Sequence, residues 1–255
     1  MHLGKWWGLV ALVLACLGGT QAAAEPRVAL VIGNAHYSGE SLQALDNPDN
    51  DARLMAETLK KAGFDVVLVS DADQKQMKRA VRAFGEMLVS AGPEATGLFF
   101  YSGHGVGVEG ESYLVPLNAE IAREADVELE AVSLGEVMAQ ANFAGNATNI
   151  VIVDASQNNP LSRGFRSSSG LARLGADFPG TFVSFSAAPG TLAEDGHGSN
   201  SPFVSALAET MLTPDLTISE VFEIVRRKVL EETKDRQVTW DASTLAAPFY
   251  FVPKN

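Results

Sequence analysis

Residues 149–156 read NIVIVDAS. Four consecutive β-branched residues, Ile150 to Val153, run into a small acidic turn and a serine. A short, continuous apolar run of this kind suits a strand covered on both faces, and such strands build parallel sheets. The same signature recurs on either side. RVALVIGN (27–34), DVVLVS (65–70), TGLFFYSGHG (96–105) and TFVSFSAAPG (181–190) read as further strands, SYLVP (112–116) as a short extension, and APFYFVP (247–253) as a last strand.

Amphipathic segments alternate with these runs. In 47–64, Asn47 can cap, Pro48 suits the first turn, Leu54, Met55 and Leu59 form a stripe, and Gly63 stops the helix. In 73–90, Met77, Val81, Phe84 and Leu88 fall on one face. Segments 133–140, 201–212 and 217–234 complete the set. Ser133 with Glu136, and Thr217 with Glu220, have capping-box spacing. The expectation is one α/β domain over 25–255, with a mostly parallel sheet of about six strands and helices on both faces. SRGFRSSSGLARLGADFPG (162–180) is long for a connection and divides a larger front part from a smaller back part.

The composition is globular: 46% hydrophobic and 20% charged, with formal net charge −12. So acidic a chain is a poor candidate for nucleic acid, whose binding requires a basic face. Residues 1–24 read as a secretory signal peptide: Lys5, the apolar core WWGLVALVLACLG, and a small-residue cleavage region ending at Ala24. The core is short for a stable membrane span. The expected location is the bacterial periplasm or beyond. A lipoprotein anchored through Cys16, in VLAC, is the lesser reading. Cys16 is the only cysteine, so cleavage after Ala24 leaves no disulfide, no thiolate metal site and no thiol nucleophile.

In open parallel sheets, ligands bind beyond the carboxyl ends of the strands. The third strand is expected to end in Ser102-Gly103-His104-Gly105, and the fourth in Asp154-Ala155-Ser156. If these strands are neighbours, His104 and Ser156 face each other across one crevice. His104 has the chemistry of a general base. A polar turn residue is the plainer reading, and His36 and His197 read as ordinary loop histidines. Metal-binding spacing is absent, and no cofactor is expected.

VALVIGNAHY, LDNPDNDARLM, LFFYSGHG, YLVPLNAEI, DASQNNP and SFSAAPGTLAEDGHGSNSPFVSAL together resemble the caspase-like peptidase family, in its bacterial metacaspase-like (orthocaspase) branch. The resemblance runs through nearly all of 27–252. It implies a caspase-like three-layer α/β/α sandwich and a Cys–His dyad. His104 matches the family's histidine. Ser156 stands where the nucleophilic cysteine is expected, and Gln157 where arginine is usual. The oxyanion donors would be the N–H groups of Gly105 and Ser156. Asp51, Ser102 and Asp154 would line an acidic pocket for the Lys or Arg side chain before the scissile bond. Asp51 also reads as an ordinary first-turn residue, and Asp154 as a turn former. The family's calcium cluster has no clear match.

A serine hydroxyl is far less acidic than a thiol and needs a base held by a third group. The first reading is therefore an inactive pseudopeptidase that keeps a cleft for Arg- or Lys-containing segments. An active caspase-like relative is a further expected partner. A weak serine endopeptidase using Ser156 and His104 is the second reading. It needs an acid to orient His104, for which Glu109 and Glu111 are nearest in sequence. A pure interaction module is the third. Arg163, Arg166 and Arg173 lie where the family's loops are processed. Nothing in the sequence decides the oligomeric state.

Overall fold

The computed structural model describes residues 25–38, 42–156, 178–188, 193, 194, 196 and 198–254, with Ser156 described by its backbone. Residues 1–24, expected above to be a signal peptide, Gln157, the 162–177 part of the long connection with its three arginines, and His197 lie outside the described residues.

The strands are β1 (Arg27–Gly33), β2 (Asp65–Ser70), β3 (Thr96–Val108), β4 (Glu111–Leu114), β5 (Val132–Ser133), β6 (Thr148–Ser156), β7 (Thr181–Phe185) and β8 (Trp240–Ser243). The helices are α1 (Pro48–Lys61), α2 (Gln74–Ala91), α3 (Glu124–Glu130), α4 (Leu134–Phe143), α5 (Pro202–Thr210) and α6 (Ile218–Glu232). The sheet order is β2-β1-β3-β6-β7-β8. The first five strands are parallel, and β8 is antiparallel to β7.

Strand periodicity explains why both faces are covered. Val31, Leu98, Phe100, Ile152 and Phe182 project to one side, where they join apolar residues of α1, α5 and α6. Leu30, Phe99, Tyr101, Val153 and Phe185 project to the other, against α2 and α4. This is the α/β/α sandwich the alternating pattern implied. Full burial of each such side chain contributes roughly 1.5–3 kcal/mol.

Four local expectations are corrected. The sixth main strand is Trp240–Ser243, not 247–253. Residues 247–253 hold only a bridge from Tyr250 to Thr217. Pro248 and Pro253 cannot donate to a ladder, and Arg27 ties this segment down, donating to the carbonyls of Phe251 (2.6 Å) and Tyr250 (2.9 Å). Second, the SGHG stretch does not end a strand. β3 continues to Val108, leaving the parallel sheet to pair antiparallel with β4. Third, the Asn47 side chain makes no cap bond to α1, whose first turn relies on Pro48 and on acidic Asp49 and Asp51. Fourth, Ser133 caps α4 through the Gly135 N–H, and its hydroxyl turns to Glu111, so no capping box with Glu136 forms. The box at Thr217 and Glu220 does form.

Candidate functional site

The register of β3 on β6 builds the site. Ser102 lies opposite Asp154, Gly103 opposite Ala155, and His104 opposite Ser156. These rungs close the carboxyl end of the parallel sheet, at the point where β3 departs toward β4. A Cβ on Gly105 would come within 2.8 Å of the Ala155 methyl, so only glycine allows the strands to stay this close. Gly103 has φ +154°, and a Cβ there would meet the hydroxyls of Tyr101 and Tyr37 at 2.6 and 2.8 Å.

Those tyrosines fix the His104 backbone. The His104 N–H donates to the Tyr37 hydroxyl oxygen (3.1 Å). The Tyr101 hydroxyl lies 2.8 Å from the His104 carbonyl, and the Val115 N–H donates to the same carbonyl at 3.0 Å. Tyr37 donates in turn to the Val115 carbonyl (3.0 Å), and its ring packs on the imidazole with centroids 4.6 Å apart. Burial pushes both tyrosine pKa values up, so both remain donors at neutral pH.

The imidazole has a defined tautomer. His104 Nε2 lies 2.7 Å from the carbonyl oxygen of Gln43. A carbonyl only accepts, so Nε2 carries the proton and donates, and Nδ1 is the basic nitrogen. The orienting group is thus a main-chain carbonyl. Glu111 sits beside Val108, about 13 Å along the strand from His104, and Glu109 is one turn further. Glu111 accepts from Ser133 instead. The acid that the serine-hydrolase reading needed is not supplied by either.

Gly105 lies beside Leu114 in the antiparallel ladder. The neighbouring pair, His104 with Val115, is hydrogen-bonded. Bonded and non-bonded pairs alternate, so the Gly105 N–H points away from β4, to the side where β6 ends.

Next to the His104 rung is an acidic nest. Asp51, on the first turn of α1, is 1% exposed. It accepts from the Ser201 backbone N–H (3.0 Å), the Asn200 side-chain amide (2.9 Å) and the Ser102 hydroxyl (3.4 Å). Asp154 accepts from the Ser201 hydroxyl at 2.5 Å. Ser201 caps α5, and its oxygen also accepts from the Val204 N–H. Burying carboxylates costs several kcal/mol each unless hydrogen bonds compensate, and here hydroxyl, amide and N–H donors converge on them. Glu194 completes the rim, held by a bidentate contact from Arg236 at 2.6 and 2.8 Å. Ser102, Asp154, Glu194 and Ser201 enclose a cavity of about 10 Å³, room for one water.

Asp51, Ser102 and Asp154 therefore lie together, and the backbone of Ser156 lies opposite His104. Sequence reasoning missed Tyr37, Tyr101, Gln43, Glu194 and Ser201. Ser201 before Pro202 carried a cap signal that pointed to it. The Gln43 carbonyl carried none, because every residue has one. Among the described residues, no group of three or more His, Cys, Asp or Glu is arranged to hold a metal ion. No helix among them is long and apolar enough to cross a membrane.

A parallel sheet whose central strands carry a histidine and a hydroxyl residue on facing rungs, beside an acidic nest, has the layout of a caspase-like peptidase fold. The comparisons agree. The Caspase domain family model matches residues 26–250, and the chain belongs to that family. The solved structure of pro-sf-caspase-1 superimposes with TM-score 0.67 at 17% identity, covering 91% of this chain and 92% of that one. The human mucosa-associated lymphoid tissue lymphoma translocation protein 1 is 33% identical over 99 residues, 39% of this chain and 11% of that protein. Its mouse homolog matches to the same extent. The chain thus spans about a tenth of the length of these curated relatives.

Proposed function

We propose that this protein is an exported pseudopeptidase of the metacaspase-like branch, which keeps a cleft for Arg- or Lys-containing segments and lacks an efficient nucleophile. The observation that carries this reading is the pairing of His104 with Ser156 at the strand ends, in a chain whose only cysteine is Cys16. A serine on that rung has a base in register whose Nε2 is oriented by a main-chain carbonyl, and a carbonyl does not stabilise an imidazolium as a carboxylate does. Proton transfer from a hydroxyl is then slow, and the loss amounts to several powers of ten.

The acidic nest supports the binding half of the proposal. Asp51 and Asp154 place two carboxylates within reach of one hydroxyl and one N–H of the same residue, Ser201. Their combined negative potential suits a guanidinium or ammonium group. Gly105 and Ser156 supply N–H groups toward the carbonyl of a bound segment, as the ladder alternation favours. Entry of a side chain requires the cavity of about 10 Å³ to widen. Export through residues 1–24 places the protein in the periplasm or beyond.

Thermal unfolding in the presence of short Arg or Lys peptides tests the cleft. At about a hundredfold excess over Kd the peptides contribute roughly 2.7 kcal/mol, a rise in Tm of about 5 °C. Asp154→Ala is expected to remove that rise while uncharged peptides of equal length give none. Equal protection by neutral peptides, or none by basic ones, overturns the reading in favour of an interaction module that uses another surface.

A further inference from the structure

A basic groove lies on the opposite side of the sheet from the acidic nest. Helix α2 carries Lys75, Lys78, Arg79 and Arg82 at spacings of three and four, one exposed stripe. With α4 and Val132 of β5 these residues line a groove of about 640 Å³ with Val81, Val132 and Ala139 among its walls. One carboxylate, Glu136, lies inside it, 3.9 Å from Lys78. Among the described residues, no ion pair involves Lys75, Arg79 or Arg82. In a chain of 19 Lys and Arg against 31 Asp and Glu, four cations within eight residues are a strong local exception.

The chain also carries the complement. β3 and β4 are joined by Glu109-Gly110, both at positive φ (50° and 87°), the mirror-type two-residue turn that makes a tight hairpin tip. Glu109 and Glu111 are exposed at that tip. With Glu124 and Glu128 of α3 they surround a cavity of about 660 Å³. Leu129, on the same helix, is 72% exposed.

We propose that the basic groove receives the acidic hairpin of a second copy of this chain. One chain carries both partners of the contact: four cations with apolar walls on one side, four carboxylates and an exposed leucine on the other. Their placement sets the symmetry. The groove and the hairpin flank the same short strand, since Val132 lines the groove and Ser133 bonds Glu111. When opposite charges lie side by side on one face, a two-fold axis between them satisfies both contacts at once and closes the assembly as a dimer. The net charge of −12 on each copy opposes association only weakly, because about 0.1 M salt screens charges beyond about 10 Å. Contacts inside the interface are screened less.

Sedimentation equilibrium of the purified protein tests this. Wild type is expected to dimerise, and the dimer to weaken about tenfold as salt rises from about 0.1 to 1 M. Lys78→Glu with Arg82→Glu is expected to give a monomer, and so is Glu109→Lys with Glu111→Lys. Circular dichroism and Tm confirm that both are folded. Mixed one to one, the two variants are expected to form a heterodimer, because each reversed groove then meets a reversed hairpin and each native groove a native one. A wild type that stays monomeric at about 100 μM overturns the proposal, since a standard-sized interface holds together well below that. So does a dimer indifferent to both charge reversals, a mixture that stays monomeric, or a monomer that binds only added polyglutamate.

Discussion

Two adjoining parts of the strand ends are built on opposite plans. Around His104 the polar partners include two tyrosine hydroxyls and main-chain groups of Gln43 and Val115. Around Ser102 and Asp154, two rungs and about 7 Å away, they are buried carboxylates fed by hydroxyl, amide and N–H donors. The first arrangement holds the imidazole in one orientation and tautomer. The second gathers buried carboxylates around a cavity of about 10 Å³. Under the proposed function, recognition and chemistry rest on separate groups of residues, and a change in one is expected to leave the other standing.

Substitutions break or sharpen that contrast. The largest effect is expected from Asp51→Ala. It leaves the Ser201 N–H and the Asn200 amide without their buried acceptor, at a cost of about 3 kcal/mol in urea unfolding, and it abolishes protection by basic peptides. Gly103→Ala drives a methyl into both tyrosine hydroxyls and is expected to cost about 2 kcal/mol, seen as a lower urea midpoint. Tyr37→Phe removes one donor to Val115 and the acceptor of the His104 N–H. It is expected to cost about 1–1.5 kcal/mol yet leave peptide protection unchanged, the mirror image of Asp51→Ala. Loss of peptide protection in Tyr37→Phe would show that the two parts are not separable.

The smallest effect concerns pH. Asp71 accepts from the N–H groups of Ala35 and His36 and lies 2.6 Å from His36 Nδ1, fixing the turn that leads into Tyr37. The hydrogen bond to Asp71, then its charge, raises the His36 pKa above 6.5. Burial works to raise the Asp71 pKa, but the bonds from Ala35 and His36 outweigh it and leave the net shift downward from 3.8. A raised histidine pKa gives stability that is complete below 6.5 and lost as pH rises through the folded value. A lowered carboxylate pKa gives stability present above 3.8 and lost as pH falls through the folded value. Tm is thus expected to show a shallow maximum between these limits, which His36→Gln flattens. Unchanged curvature in His36→Gln would remove the pair from the account.

The parts visible in the sequence are those that side-chain type decides. The continuous apolar runs marked five strands covered on both faces, and SGHG and DAS marked two strand ends, whose adjacency only the register of β3 on β6 supplies. The parts that stayed hidden depend on tertiary competition or on the backbone. Two segments could have filled the sheet edge beside β7, and Trp240–Ser243 takes it because prolines and Arg27 hold 247–253 elsewhere. β3 passes through glycines that read as a loop, since their role is close approach and not a turn. The Gln43 carbonyl that sets the His104 tautomer has no signature in any side chain. Short α3 and β5 lack a periodic stripe long enough to read.

The most direct test of the central claim is hydrolysis of fluorogenic Arg and Lys peptides by wild type and Ser156→Cys, with Ser156→Ala as the blank. Wild type is expected to show no turnover above the blank and the cysteine form to turn over, because the base, its tautomer and the acidic nest are already in place. Turnover in wild type that disappears in Ser156→Ala would contradict that claim and establish a serine peptidase on this fold.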